Sequence, residues 1–272
     1  YNNTVLGTNT VVGGAGNKLL NNANGSFIAG TNNTIDSGFS NFAAGDGNYI
    51  YGPDFPNRSF NFVMGRYNIL GSTTKKIVGA TASGYYLNLT NDYSTAFGKF
   101  NANYSNAIFE VGSGNNGTTL NSPLTIARTG TNNWVAIGAP SEAARGATLS
   151  PVGSEKLRVY GTIQTAGANY PDYVFEDYFS GNSSINSSYK FKSIYDTENF
   201  IKENHHLPGV TSIKDLQKNE NGYSFNITEL STQTLEKVEE LYLHTIEQQK
   251  QIDELKALVK TQQEQINQLL KK

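Results

Sequence analysis

A four-residue unit, Gly-x-x-Asn, recurs through the first hundred residues and limits the fold more than any other feature of the chain. It stands at Gly14–Asn17, Gly30–Asn33, Gly45–Asn48, Gly65–Asn68 and Gly98–Asn101, with glycine spacings of 16, 15, 20 and 33 residues. The last gap is close to two repeats. Strand-length runs precede three of the glycines and put Phe27, Phe42 and Phe62 each three positions before its glycine. An apolar residue returns two positions after the asparagine, at Leu19, Ile35, Ile50 and Leu70. Glycine can take the positive φ of a corner, and asparagine can bond the nearby backbone there. The pattern predicts a coil of short strands in which each Phe lies above the last and each Asn above the last. One coil buries little by itself, so it needs neighbours along the axis or neighbouring chains.

Two departures from the repeat stand out. The 20-residue unit inserts Tyr51-Gly52-Pro53-Asp54-Phe55-Pro56-Asn57-Arg58, and the stretch from Gly79 to Tyr93 lacks the Gly-x-x-Asn unit and carries Tyr85-Tyr86. Protruding loops are expected there in place of regular coils. The repeated runs as a whole resemble the β-roll heads of trimeric autotransporter adhesins and related fibre shafts. That resemblance implies threefold packing against the Phe rows.

Charge divides the chain into two materials. Residues 1–150 hold 14 Asp, Glu, Lys and Arg, and residues 151–272 hold 30. Between them, Ala107–Gly112, Leu124–Ala127, Trp134–Gly138 and Lys156–Ile163 read as short strands separated by turn clusters. Val135 to Ile163, with Ser141–Glu155 inserted, is similar to the strand-rich shaft module of phage tail fibres and Bacteroidetes surface proteins. Further on come Pro171-Asp172-Tyr173-Val174-Phe175, then Phe200 to Val210 with His205-His206-Leu207-Pro208-Gly209, then Leu235 to Leu241. This order closely resembles the C-terminal domain of Bacteroidetes tail-fibre-domain proteins, over roughly the last hundred residues. The resemblance implies a Bacteroidetes source, a fibre role and trimers, but no particular receptor. The Ser-Asp-x-Arg-Leu-Lys signature of self-cleaving tail-spike chaperones is absent, so autoproteolysis is not carried over.

From about Thr228 to Lys272 there is no Gly or Pro, and strong helix formers dominate. A heptad reading places Val238, Thr245, Ile252, Val259 and Ile266 at a, and Leu241, Gln248, Leu255, Gln262 and Leu269 at d. That span is coiled-coil length, and a single helix so polar is marginal in water. Leu235, Leu243 and Ile246 fall outside the seam and are expected to pack on the preceding piece. The fold class is therefore mainly β with C-terminal α. It comprises a trimeric β-roll or β-solenoid head over 1–106, a strand-rich connector over 107–168, a small α+β module over 169–227 and a parallel coiled coil over 228–272.

Chemistry is sparse. The net charge of −2 gives no basic excess for nucleic acid. No apolar run reaches the ~20 residues that span a bilayer. Cysteine is absent, which removes thiol nucleophiles and Cys-based zinc sites. Of the three histidines, His205 and His206 are adjacent beside a turn and lack any known ligand spacing. No phosphate loop, dinucleotide fingerprint or Gly-x-Ser-x-Gly elbow occurs. An enzyme, a cofactor and a resident metal are not expected. The chain opens on Tyr1 rather than Met, as expected of a piece cut from a longer polypeptide.

Aromatic residues are the interaction candidates, since Tyr combines a flat apolar face with a polar handle. Tyr51, Phe55, Tyr85, Tyr86 and Tyr93 fall where the repeat is interrupted. They are read as contacts to a cell-surface glycan or protein, against the alternative that they plug trimer grooves or cap the roll. The leading function is an adhesive and structural homotrimeric fibre of a phage tail, a phage-derived injection apparatus or a bacterial surface, located outside the cell. The alternative is a trimerisation and assembly module with no receptor role. A polysaccharide-degrading spike would need acidic pairs, and the repeats hold few acids.

Overall fold

The computed structural model describes residues 2–54, 58–140, 147–166 and 170–271. The chain forms two compact units, Tyr1–Ile163 and Gln164–Lys272. The first is a β-solenoid of about seven turns. Its long strands are Val11–Ala15, Phe27–Thr31, Phe42–Asp46, Phe62–Arg66, Thr81–Tyr85, Thr95–Lys99 and Ala107–Ser113, paired in parallel in that order. The return strands Thr4–Val5, Lys18–Leu19, Thr34–Ser37, Tyr49–Tyr51, Ile69–Leu70 and Asn88–Leu89 stack as a second parallel sheet.

Period-two alternation sends one row of each sheet inward. Ile28, Ala43, Val63, Ala82 and Ala96 from the long strands meet Leu19, Ile35, Ile50, Leu70 and Leu89 from the return strands in one buried core. Each glycine precedes its inward aliphatic by five residues, from Gly14 and Leu19 through Gly84 and Leu89. The way back from that aliphatic to the next glycine varies from 9 residues (Leu89 to Gly98) to 15 (Ile50 to Gly65). One half of every coil is fixed in length and the other is not.

The predicted rows are present. Gly14, Gly30, Gly45, Gly65 and Gly98 all have positive φ, and Asn17, Asn33, Asn48, Asn68 and Asn101 are buried. Asn48 illustrates the ladder. Its N–H and Nδ2 donate to Asn33 Oδ1 at 3.0 and 2.9 Å, and Nδ2 also donates to the Ala44 and Gly65 carbonyls. Its own Oδ1 accepts from the N–H and Nδ2 of Asn68. Asn17, Asn33, Asn48 and Asn68 each satisfy backbone groups of two coils in this way, while Asn101 bonds the N–H and carbonyl of Asn88 and the Glu110 carboxylate. A second buried row at the opposite corner, Ser26, Asn41 and Asn61, is linked the same way. Asn41 N–H donates to Ser26 Oγ at 3.1 Å, Asn61 N–H to Asn41 Oδ1 at 3.0 Å, and Ala80 N–H to Asn61 Oδ1 at 2.9 Å.

The expectation of protruding loops between Gly79 and Tyr93 is overturned. Thr81–Tyr85 pairs in register on both sides, with Gly84 between Gly65 and Gly98, so the 33-residue gap holds one more coil. Leu87 occupies the asparagine position and its N–H still donates to Asn68 Oδ1 at 2.9 Å. A buried aliphatic fills the slot because the preceding asparagine supplies the acceptor that the backbone needs.

The solenoid ends where a carboxylate replaces the aliphatic. Glu110 pairs with Ala96 and is buried. It accepts from Asn101 Nδ2 at 2.7 Å, Ser122 Oγ at 2.9 Å and Tyr104 N–H at 3.3 Å. Burial raises its pKa above the usual carboxylate range despite these donors. Beyond it the long-strand sheet continues through Leu124–Thr129 and Asn132–Ile137, antiparallel, and Leu157–Val159, parallel. Tyr104, Trp134 and Leu149 anchor a separate core beneath this part.

In the second unit, helices α1 (Tyr173–Ser180), α2 (Ile194–Asn204) and α3 (Ile227–Leu269) accompany a hairpin of Gln217–Asn219 and Gly222–Ser224. Asn226 caps α3 by accepting from the N–H groups of Thr228 and Glu229. Tyr173 and Val174 of α1 bury against Leu243 of α3. Phenols pin this contact: Tyr173 donates to Glu236, Tyr189 to Glu240 at 2.8 Å and Tyr178 to Glu247 at 3.0 Å. Leu243 packs as expected and Leu235 is half-buried, but Ile246 is exposed. Residues of α1 and its following loop reach Leu243, Glu240 and Glu247 and leave Ile246 uncovered.

Candidate adhesive surface

The outward rows of the solenoid carry its chemistry. Alternation that turns Ile28, Ala43 and Val63 inward turns Phe27, Phe42 and Phe62 out. Their rings stack along the axis at 4.9 and 4.6 Å, nearly parallel, and Phe27 and Phe62 remain 38% and 36% exposed. Val11, Met64 and Phe97 extend the same apolar exterior.

A second aromatic row lies at the Gly-x-x-Asn corner. The residue two after the glycine adopts left-handed backbone throughout, and in three successive coils it is Tyr67, Tyr86 and Phe100. That conformation costs a non-glycine residue roughly 1–2 kcal/mol. Ring contacts offset it, with Tyr67 tilted against Tyr86 at 5.0 Å and Tyr86 stacked on Phe100 at 5.2 Å, each contact contributing about 0.5–1.5 kcal/mol. Tyr85, on the outward face of its strand, packs edge-on against Tyr86 at 4.6 Å and Phe100 at 5.4 Å. Arg66 lies 4.8 Å above the Tyr67 ring and pairs with Asp46 at 3.0 Å. The Tyr67 phenol, first, and Asp46 raise the Arg66 pKa.

The structure therefore brings Tyr85 and Tyr86 together but not the rest of the predicted set. Tyr93 sits at the other corner, where its ring covers Gly79, and is 75% exposed. Tyr51 belongs to the return-strand sheet, stacked on Tyr49 at 4.1 Å with Lys76 at 5.2 Å. Burial, with Asp36 and Tyr51 nearby, pushes the Tyr49 phenol up to about 12. Phe55 lies outside the described residues. Sequence reasoning missed Tyr67 and Phe100, although both stand two positions after a repeat glycine, the signal that marks the row.

The histidines have local roles. His205 ends α2 in left-handed backbone with its N–H on the Ile201 carbonyl, and the His206 ring meets Phe200 edge-on. His244 is buried against Phe191. Among the described residues no group of three His, Cys, Asp or Glu is placed to hold a metal, and no helix is long and apolar enough to cross a membrane.

No protein-family model matches the chain, and no curated protein or solved structure is significantly similar to it.

Proposed function

We propose that the chain is a structural and adhesive fibre subunit that works outside the cell as a parallel homotrimer. Such a fibre belongs to a phage tail, a phage-derived injection apparatus or a bacterial surface, and its solenoid meets a cell-surface glycan or protein. The observation that carries the reading is α3. Over 43 residues its buried members are Glu236, Glu239, Leu243 and His244, while Val238, Leu241, Ile252, Leu255, Val259, Ile266 and Leu269 stay exposed at heptad spacing. Partner helices account for such a stripe. The outward Phe row of the solenoid supports the same reading, as a large apolar surface on one chain.

Trimer is preferred to dimer because Gln248 and Gln262 occupy d. Three glutamines around an axis can bond one another, at some loss of stability and with a gain in register. Ile and Val at a with Leu at d, taken alone, favour two strands. Sedimentation equilibrium tests the state: three chains of 29.6 kDa weigh about 89 kDa and two about 59 kDa. Glycan-array binding tests adhesion. A trimer with no array or cell binding leaves the assembly-module reading in its place, and oligosaccharide cleavage would replace both with a degrading spike.

A further inference from the structure

The N-terminal edge of the solenoid carries the specification for a strand of its own. Asn3 already occupies the position of a ladder asparagine: its Oδ1 accepts from Asn17 N–H at 2.9 Å and its Nδ2 donates to the Gly14 carbonyl at 2.9 Å. Asn17 makes the same two bonds one coil further on, to Asn33 N–H at 3.1 Å and to the Gly30 carbonyl at 2.8 Å. Thr4 N–H donates to the Asn17 carbonyl just as Lys18 N–H donates to that of Asn33. Asn3 to Leu6 are thus the return half of a coil. The long half, which would lie on Val11–Ala15, is not among the described residues, and that strand ends its sheet.

The interior shows the same incompleteness. Val5 is 44% exposed, whereas its successors Leu19, Ile35, Ile50 and Leu70 are fully buried. Val12 is half-buried, whereas Ile28, Ala43 and Val63 in its row are fully buried. Val11 N–H bonds to the Ser26 carbonyl, so by alternation the polar groups of Val12 face the open side.

We propose that the Val11–Ala15 edge is a docking site for one further parallel polypeptide strand, donated ahead of Asn3, with glycine opposite Gly14. The glycine requirement is steric. A Cβ on Gly14 would stand 1.9 Å from the Gly30 carbonyl oxygen, and the same clash recurs from Gly30 through Gly84 at 1.9–2.0 Å. Repetition of the register puts any Cβ opposite Gly14 into the Gly14 carbonyl. The residue opposite Val12 points into the core and is aliphatic. The edge therefore selects a strand by one missing side chain and one apolar one, on top of the main-chain bonds that any edge offers.

Two fusions to the full chain test this. Ser-Phe-Ile-Ala-Gly joined directly ahead of Tyr1 sets its glycine opposite Gly14, and Ser-Phe-Ile-Ala-Val differs there alone. The glycine fusion is expected to slow amide exchange at Val12 and Gly14 by about tenfold or more and to raise the melting temperature, and the valine fusion to do neither. Equal protection by both fusions, or protection by neither, would overturn the proposal. Edge-to-edge pairing of two copies would instead protect these amides in the unfused chain as concentration rises, and would also overturn it.

Discussion

Gly30 and Gly45 approach so closely that a Cβ on Gly30 would lie 2.0 Å from the carbonyl oxygen of Gly45. The row of glycines is thus demanded twice, by left-handed backbone and by contact with the next coil. Replacing Gly30 by Ala is expected to cost about 3 kcal/mol or more, from backbone strain and overpacking together. Gly13 has open space where its Cβ would go, so Gly13→Ala is expected to be near neutral. Urea unfolding of the two variants makes the comparison, and equal midpoints would contradict the contact.

Asn48 links three coils through its amide. Asn48→Ala removes those bonds and leaves the buried Asn68 N–H without its acceptor, a loss on the order of 3 kcal/mol. Thermal or urea unfolding measures it. A loss below a tenth of that would mean that the ladder is incidental to stability.

Tyr85 and Tyr86 are neighbours with different tasks. Tyr85→Ala removes an outward side chain and is expected to leave the melting temperature within a few degrees of the parent while weakening adhesion. Tyr86→Ala keeps the left-handed backbone and loses the ring contacts to Tyr67, Tyr85 and Phe100, so it is expected to destabilise by about 1–3 kcal/mol. If Tyr85→Ala leaves cell or glycan binding unchanged, the corner cluster is structural only.

The pKa of Glu110 is raised in the folded chain, so the folded state holds its proton more tightly than the unfolded state does. Its contribution to stability is fullest below the ordinary carboxylate range and is lost as pH rises through the elevated value. The stability of the parent relative to Glu110→Gln is therefore expected to decline from about pH 4 to pH 7. Urea midpoints of both chains across that range give the slope, and the opposite trend would reject the assignment.

Much of the solenoid was legible because its rules are local. Glycine corners, asparagines three residues on and inward aliphatics two further on repeat in the letters themselves, and Leu19, Ile35, Ile50 and Leu70 are all buried. The coil around Gly84 was hidden because Leu87 broke the pattern while its backbone kept the bond to Asn68. The second buried row stands four residues before each repeat glycine, but it was hidden because its residue type changes from coil to coil: Ser26, Asn41, Asn61, then Ala80 and Ser94. Among the candidate contacts, Tyr85 and Tyr86 stand next to each other in sequence and stay together. Tyr51 and Tyr93 separate because a coil sends neighbours in sequence to different sides of the axis.

The unequal halves of each coil have a practical meaning. Register is carried by the five residues from glycine to inward aliphatic, and the rest of the turn tolerates lengths from 9 to 15. The turn at Ser72–Lys75, closed by mutual backbone bonds and exposed at Thr73 and Thr74, lies in the tolerant half. A foreign peptide grafted there would be displayed from a rigid rung without disturbing the glycine or asparagine rows, which makes this solenoid a scaffold with a built-in insertion port.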